Sequence, residues 1–165
     1  MPREQAMELV QEVQTAVHAT ANPEFAAWVR DDAGVDLAPL ALPGTTLQAW
    51  VVSPRAARPP VGFLVVRAGD ALVVTTGDAA AAGRALVAAG AVSDAALPGL
   101  LYELVRSRAR VTSLVTTGEG APSVTREDGR VQVVLRVERG RLSPERWVFG
   151  LDGGALVWTR AEVSG

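Results

Sequence analysis

The sequence predicts an α+β domain in two layers, with a mostly antiparallel sheet and helices packed on one face. Its 165 residues suffice for one domain with a full core. Segments with helical periodicity occur in two groups, and each group is followed by Val- and Leu-rich segments bounded by turn residues. Because helices and strands are grouped, the order α-α-β-β-β-α-α-β-β-β-β favours antiparallel strands over a parallel α/β sheet. A single domain over residues 1–165 is therefore expected.

Two helices are predicted in the N-terminal helical segment, residues 1–33. Residues 4–20 place apolar side chains at helical spacing and glutamate and glutamine on the other side, which is typical of an amphipathic surface helix. A second, shorter helix is predicted after Asn22, with Pro23 in its first turn, and it ends at Gly34.

Residues 34–46 form an apolar, proline-containing arm with two possible roles. Its prolines prevent a helix, so the segment is expected to be extended. The leucines Leu37, Leu40 and Leu42 either cover the domain's own core or form an exposed strip that binds a partner.

The remaining residues, 47–165, are predicted to form the α+β core. An antiparallel meander of three strands comes first, and two helices follow it, the second of which ends in arginines. The predicted strands cover 47–53, 61–67 and 71–76, and the helices cover 78–89 and 93–110.

Four further strands are predicted to end the chain, the first of them a short one at 111–115. Apolar residues alternate with other side chains over 130–138, the mark of a half-buried strand, and an Asp128-Gly129 turn precedes it. Another hairpin is centred on Asp152-Gly153-Gly154. The two β-rich segments fit either one curved sheet or two small sheets packed together, and a single curved antiparallel sheet is favoured.

Composition excludes several classes of chemistry. The chain has no cysteine and no lysine, and its only histidine is His18, so thiol nucleophiles, cysteine-ligated zinc, Schiff bases and two-histidine metal sites are excluded. No cofactor, metal site or catalytic group is predicted, and the chain is not expected to be an enzyme. The net charge of −2 argues against nucleic-acid binding. No apolar run reaches 18 residues, so no membrane association and a cytoplasmic location are expected.

The function that these observations favour is a non-catalytic protein-binding module, adaptor or chaperone-like and self-associating as a homodimer. The order of helix, meander and helix is similar, at the level of fold, to small acidic secretion-chaperone-like and adaptor domains, from which the four later strands depart. Charge is unevenly distributed along the chain. Residues 1–103 contain six arginines and eleven carboxylates, whereas residues 104–165 contain ten arginines and seven carboxylates. The expected partner-binding residues are Leu37, Leu40, Leu42, Arg55 and Arg58.

An alternative function is a small-molecule-binding protein or a cofactor-free enzyme with a pocket between the sheet and the helices. Aromatic side chains and guanidinium groups are common in such pockets. The candidate pocket residues are Trp50, Arg67 and Arg136. Trp50 is out of phase with its neighbours in the predicted strand, so it faces either the helices or solvent.

Overall fold

The computed structural model describes residues 2–19, 27, 34–42, 48–55, 62–68, 70–75, 79–89, 92–106, 112–153 and 155–164. Within these residues the chain forms three α-helices, a one-turn 3-10 helix at Gly118–Gly120 and nine strands. The helices are α1 (Arg3–His18), α2 (Ala79–Ala89) and α3 (Leu97–Val105). The strands are β1 (Val35–Pro39), β2 (Ala49–Pro54), β3 (Phe63–Ala68), β4 (Ala71–Val74), β5 (Ser113–Leu114), β6 (Ser123–Glu127), β7 (Arg130–Arg139), β8 (Leu142–Asp152) and β9 (Ala155–Glu162).

The strands pair into two antiparallel sheets. Sheet A has the order β1-β2-β3-β4, so the predicted meander is confirmed and the first part of the arm adds an edge strand to it. Sheet B has the order β5-β7-β8-β9, and β6 pairs with the first half of β7. The antiparallel α+β fold is therefore confirmed, but its strands form two sheets where the sequence favoured one.

The two sheets and the helices stack in four layers. On β3, Phe63 and Val65 point towards α1, and the alternate residues Leu64 and Val66 point the other way, into a core shared with α2, α3 and sheet B. Helix α1 therefore covers one face of sheet A, and α2 and α3 lie between the two sheets. This layering differs from the predicted two layers with helices on one face.

The composition of α3 explains the extra layers. Six of its nine residues are buried, so this helix is apolar on more than one side and has a surface for each sheet. The buried residues are Leu97, Leu100, Leu101, Tyr102, Leu104 and Val105. On α2, the small side chains of Ala82 and Ala85 are buried, which allows close packing against the sheets.

The predicted β6–β7 turn is confirmed in detail. Asp128 and Gly129 have φ angles of 50° and 76°, as a two-residue hairpin turn of type I′ requires. Strand β6 itself was not predicted, because Ser-Val-Thr-Arg-Glu has only one apolar residue and becomes a strand through its pairing with β7.

Some predictions lie outside the described residues. Of the second helix expected before residue 34, only Ala27 is described, and it is helical. The loop that carries Arg58 and the arginines at 108 and 110 also lie outside the described ranges.

Candidate functional site

The arm leucines are half-buried against the core. Leu37 lies on β1 and packs into the cluster beneath α1, and Leu40 and Leu42 pack against the central core between the sheets. Their placement supports the first of the two roles considered for the arm, which is to cover the domain's own core.

Arg55 forms an exposed ion pair at the edge of sheet A. Its Nε and Nη2 donate to Asp36 Oδ1 at 3.2 and 2.7 Å. The hydrogen bond from Arg55 lowers the pKa of Asp36. Side-chain exposures of 63% and 65% leave both groups accessible to solvent.

Trp50 and Arg67 join α1 to sheet A. Trp50 is buried and faces α1, and the Arg67 guanidinium carbon lies 5.5 Å from its ring centroid. Arg67 also donates to both carboxylate oxygens of Glu12 on α1, each at 3.0 Å, and this pairing raises the pKa of Arg67. Trp50 and Arg67 thus hold a helix in place, and neither lines either of the two cavities described below.

A buried carboxylate network lies on the inner side of sheet B. Glu145 accepts hydrogen bonds from Trp147 Nε1 at 2.7 Å and from Arg160 Nε at 2.9 Å, and Arg139 Nη1 lies 3.0 Å away. Burial raises the pKa of Glu145, but the hydrogen bonds and the two arginine charges outweigh burial, so the pKa is lowered overall. Sequence reasoning missed this network, although Glu145 stands in phase with the inward-facing Trp147 and Phe149 on β8.

A second carboxylate, partly buried, belongs to Glu103 on α3. Burial raises its pKa even though Arg106 lies beside it, with Arg106 Nε 2.7 Å from Glu103 Oε2. The angles at this contact do not make a hydrogen bond, and neither atom has another partner among the described residues. The Arg106 guanidinium also occupies the space where a Cβ on Gly62 would lie. Glu103 lines neither of the two cavities described below, so a substrate could not reach its carboxylate through them.

The outer face of sheet B, called the open face below, lies outside both core clusters. Val133, Leu135 and Val137 of β7 are fully buried on the inner face, so the alternate residues point outward. Val134, Val148 and Val157 of the open face belong to neither core cluster of the described residues. Val134 and Val148 are half-buried, and Val157 is 62% exposed. Further open-face residues are Thr125, Gln132, Arg136, Arg146, Gly150 and Thr159.

Two hollows lie on the open face. The larger has a volume of about 780 Å³ and is lined by residues that include Thr125, Gln132, Gly150 and Val157. A smaller one of about 200 Å³ lies at the other end and includes Arg136 among its lining residues. The larger volume is within the range of ligand pockets, but the hollow lies on the outside of the sheet and not between the sheet and the helices.

Charges occupy the two ends of the open face. At one end, Glu127 and Asp152 flank Arg130, and Arg130 Nε lies 3.4 Å from Asp152 Oδ2. At the other end, Arg136 and Arg146 lie directly opposite one another on β7 and β8. Two like charges in register repel each other. The same end also holds Glu138, 3.8 Å from Arg136, and Glu119 in the lining of the smaller hollow. Arg146 has no ion pair among the described residues, so it is the group at this end that can attract a further carboxylate.

Arg136 is the one candidate pocket residue that lies beside a described cavity. Its nearest carboxylate in the described part of the chain is Glu138, at 3.8 Å, and its side chain is 41% exposed. The stem of Arg136 packs on Gly120, where a Cβ would overlap its Cδ. A glycine is therefore required at this contact if Arg136 is to keep its position.

The described residues do not assemble a reaction centre that we can identify. They contain no cluster of three or more potential metal ligands, and His18 is exposed at the end of α1. None of the helices in the described ranges is both long enough and apolar enough to span a bilayer. No protein-family model matches the chain, and no curated protein or solved structure is significantly similar to it.

Proposed function

We propose that this chain is a non-catalytic protein-binding module, adaptor or chaperone-like, which binds its partner through the open face of sheet B. The observation that carries the proposal is the set of valines on this face, Val134, Val148 and Val157, which pack in neither core cluster. An exposed apolar patch with polar residues around it is typical of a protein interaction site.

The composition of the open face suits another protein surface. Its centre combines valines with Gly150, which has no side chain, and with the short side chain of Thr159, and charged residues lie at its two ends. Protein interfaces share this arrangement of an apolar centre and a polar rim. Sheet faces of this kind pack on one another about 10 Å apart, with their side chains interdigitated.

The alternative function, small-molecule binding or cofactor-free catalysis, has one supporting observation. The hollow of about 780 Å³ is large enough for a small ligand, and Thr125 and Gln132 offer polar groups there. Native mass spectrometry of gently purified protein separates the two functions. A monomer that carries a small-molecule adduct would favour the alternative, and a multimer without an adduct would favour protein binding.

Position-specific photo-crosslinking in the cells that express the chain tests the proposal directly. A crosslinking side chain is placed at Gln132 on the open face or, as a control, at Gln11 on the exposed side of α1. We expect discrete protein adducts from position 132 only, and we expect Val148→Asp to abolish them while the unfolding midpoint stays unchanged. Adducts of equal yield from both positions, or adducts that persist in Val148→Asp, would contradict the proposal.

A further inference from the structure

The open face carries opposite charges at its two ends, and this arrangement identifies a candidate partner. Resting on the proposed function, we infer that the partner is a second copy of this chain, and that two open faces pack together about a two-fold axis with β8 crossing β8. The argument uses the positions of Arg146, Val148, Gly150 and Asp152, which point outward in succession along β8.

Only one of the two simple face-to-face arrangements brings opposite charges together. Arg146 and Asp152 lie six residues apart on β8, which is about 20 Å at the rise of a β-strand. A two-fold axis perpendicular to the strands places Arg146 of each copy over Asp152 of the other. An axis parallel to the strands places Arg146 over Arg146 and Asp152 over Asp152. The perpendicular axis also places Arg136 over Arg130, but each of these two arginines has a carboxylate beside it in its own copy. The charges therefore favour the perpendicular axis.

Arg146 is the charge that a second copy would satisfy. Within the described part of the chain it forms no ion pair, whereas Arg136 has Glu138 at 3.8 Å. At the other end of the face, Glu127, Arg130 and Asp152 lie side by side on β6, β7 and β8. This row of two carboxylates and one guanidinium has a net charge of −1. Each end of the interface would therefore place Arg146 of one copy opposite the net negative end of the other.

The shape of the face fits the same axis. An axis that exchanges Arg146 with Asp152 passes between Val148 and Gly150, so it places Val148 of each copy over Gly150 of the other. Gly150 has no side chain, and a Cβ there would meet nothing within 4 Å. The larger hollow lies above this glycine and can receive the valine of the second copy.

The size of the face predicts a weak dimer. Four strands about 4.8 Å apart and a length of about 20 Å give a footprint on the order of 400 Å², roughly half of what a stable interface buries on each partner. We therefore expect association that depends on protein concentration and weakens as salt screens the end charges.

A charge exchange between two variants tests the inference. Arg146→Glu and Asp152→Arg each replace both symmetry-related attractions by repulsions, so each variant alone should dissociate about tenfold more readily than wild type. In an equimolar mixture the heterodimer regains both attractions, so dimer should reappear at nearly the wild-type level. Sedimentation velocity measures the dissociation, and native mass spectrometry with one isotope-labelled variant identifies the heterodimer.

A control variant and a substitute variant accompany the charge exchange. Arg141→Glu makes the same charge change in the exposed turn between β7 and β8, off the open face, and should leave dimerisation unchanged. If Asp152→Arg fails to fold, Glu127→Arg makes an equivalent reversal in the same row.

Three outcomes would overturn the inference. A wild-type chain that stays monomeric at about 0.5 mM would refute the second copy, given the weak binding expected for this area. Single variants that mix without restoring the dimer would refute the arrangement. If Val148→Asp left the dissociation of the dimer unchanged, the two copies would associate through another surface, such as the edge of β9. The proposed function would still stand if the wild type were monomeric but crosslinked other proteins from position 132.

Discussion

The carboxylate of Glu145 offers the sharpest test of how sheet B is held together. Glu145→Gln keeps the shape of the side chain but removes its charge, so the new amide nitrogen can neither form an ion pair with Arg139 nor accept a hydrogen bond from Arg160. Glu145 is 6% exposed, so its arginine partners would lose an anion that water replaces poorly. We expect the variant to fold with a lower free energy of unfolding.

The expected loss is about 2 kcal/mol. A hydrogen bond to a charged group contributes about 1.5–3 kcal/mol net, and Glu145 receives hydrogen bonds from both Trp147 and Arg160. The loss is smaller than the sum because an amide oxygen in the place of Oε2 still accepts from both Trp147 Nε1 and Arg160 Nε, whereas the hydrogen bond from Arg160 Nη2 to Oε1 is lost. The Arg160 side chain is also 34% exposed, so water partly replaces the lost partner. For a chain of this length, about 2 kcal/mol lowers the melting temperature by about 4–8 °C.

The assay is urea unfolding followed by tryptophan fluorescence, with Asp94→Asn as the matched control. Asp94 also accepts two hydrogen bonds from one arginine, Arg126, but its side chain is 56% exposed, so we expect no measurable change. A lowered pKa in the folded state means that Glu145 stabilises the protein above its ordinary pKa of 4.5, and that this stability is lost as the pH falls through the folded value.

The difference between wild type and Glu145→Gln should therefore narrow as the pH is lowered below 4.5. Equal unfolding midpoints for wild type and Glu145→Gln at pH 7 would refute the reasoning, as would a difference that is independent of pH.

Three further predictions concern other parts of the fold. Val13→Ala removes two buried methyl groups where α1 meets sheet A and should cost about 2 kcal/mol by calorimetry; a cost below that of a surface substitution would contradict the packing of α1. Gly129→Ala should lower the free energy of unfolding by about 1 kcal/mol, because φ at residue 129 is +76°. Gly99→Ala lies within α3, where a Cβ has open space, and should raise the free energy of unfolding in the same urea assay. Glu103→Gln should raise stability at pH 7, because burial raises the pKa of Glu103 and a charge that is unfavourable above that pKa is removed; a loss of stability would show that the Arg106 ion pair dominates.

The parts of the fold that sequence predicted correctly depend on local patterns. Helical spacing over residues 4–20 predicted α1, and alternation with an Asp128-Gly129 turn predicted β7 and its hairpin. The sequence did not predict strands β1 and β6. The prolines of the arm indicated an extended segment without a pairing partner, and β6 has few apolar residues. Both become strands by pairing with a neighbour, and this information lies elsewhere in the chain.

The candidate site was predicted less well than the fold. The sequence directed attention to the arm leucines and to Arg55, and the structure packs the leucines on the core and pairs Arg55 with Asp36. Of the named pocket residues, Arg136 alone lies on the open face. The alternation of β7 does show that one side is polar and valine-containing, but the sequence does not show which face of a sheet another layer covers.

The sequence by itself determined the classes of chemistry that this chain lacks, the periodicity of its main elements and the residues of its turns. Those properties depend on residue type and on neighbours a few positions away. Only the tertiary structure decided that the strands divide into two sheets, that α2 and α3 lie between them, and that Glu145 meets Arg139 and Arg160. These outcomes depend on contacts between distant segments, because the faces of a helix or a sheet become buried only when another layer packs on them.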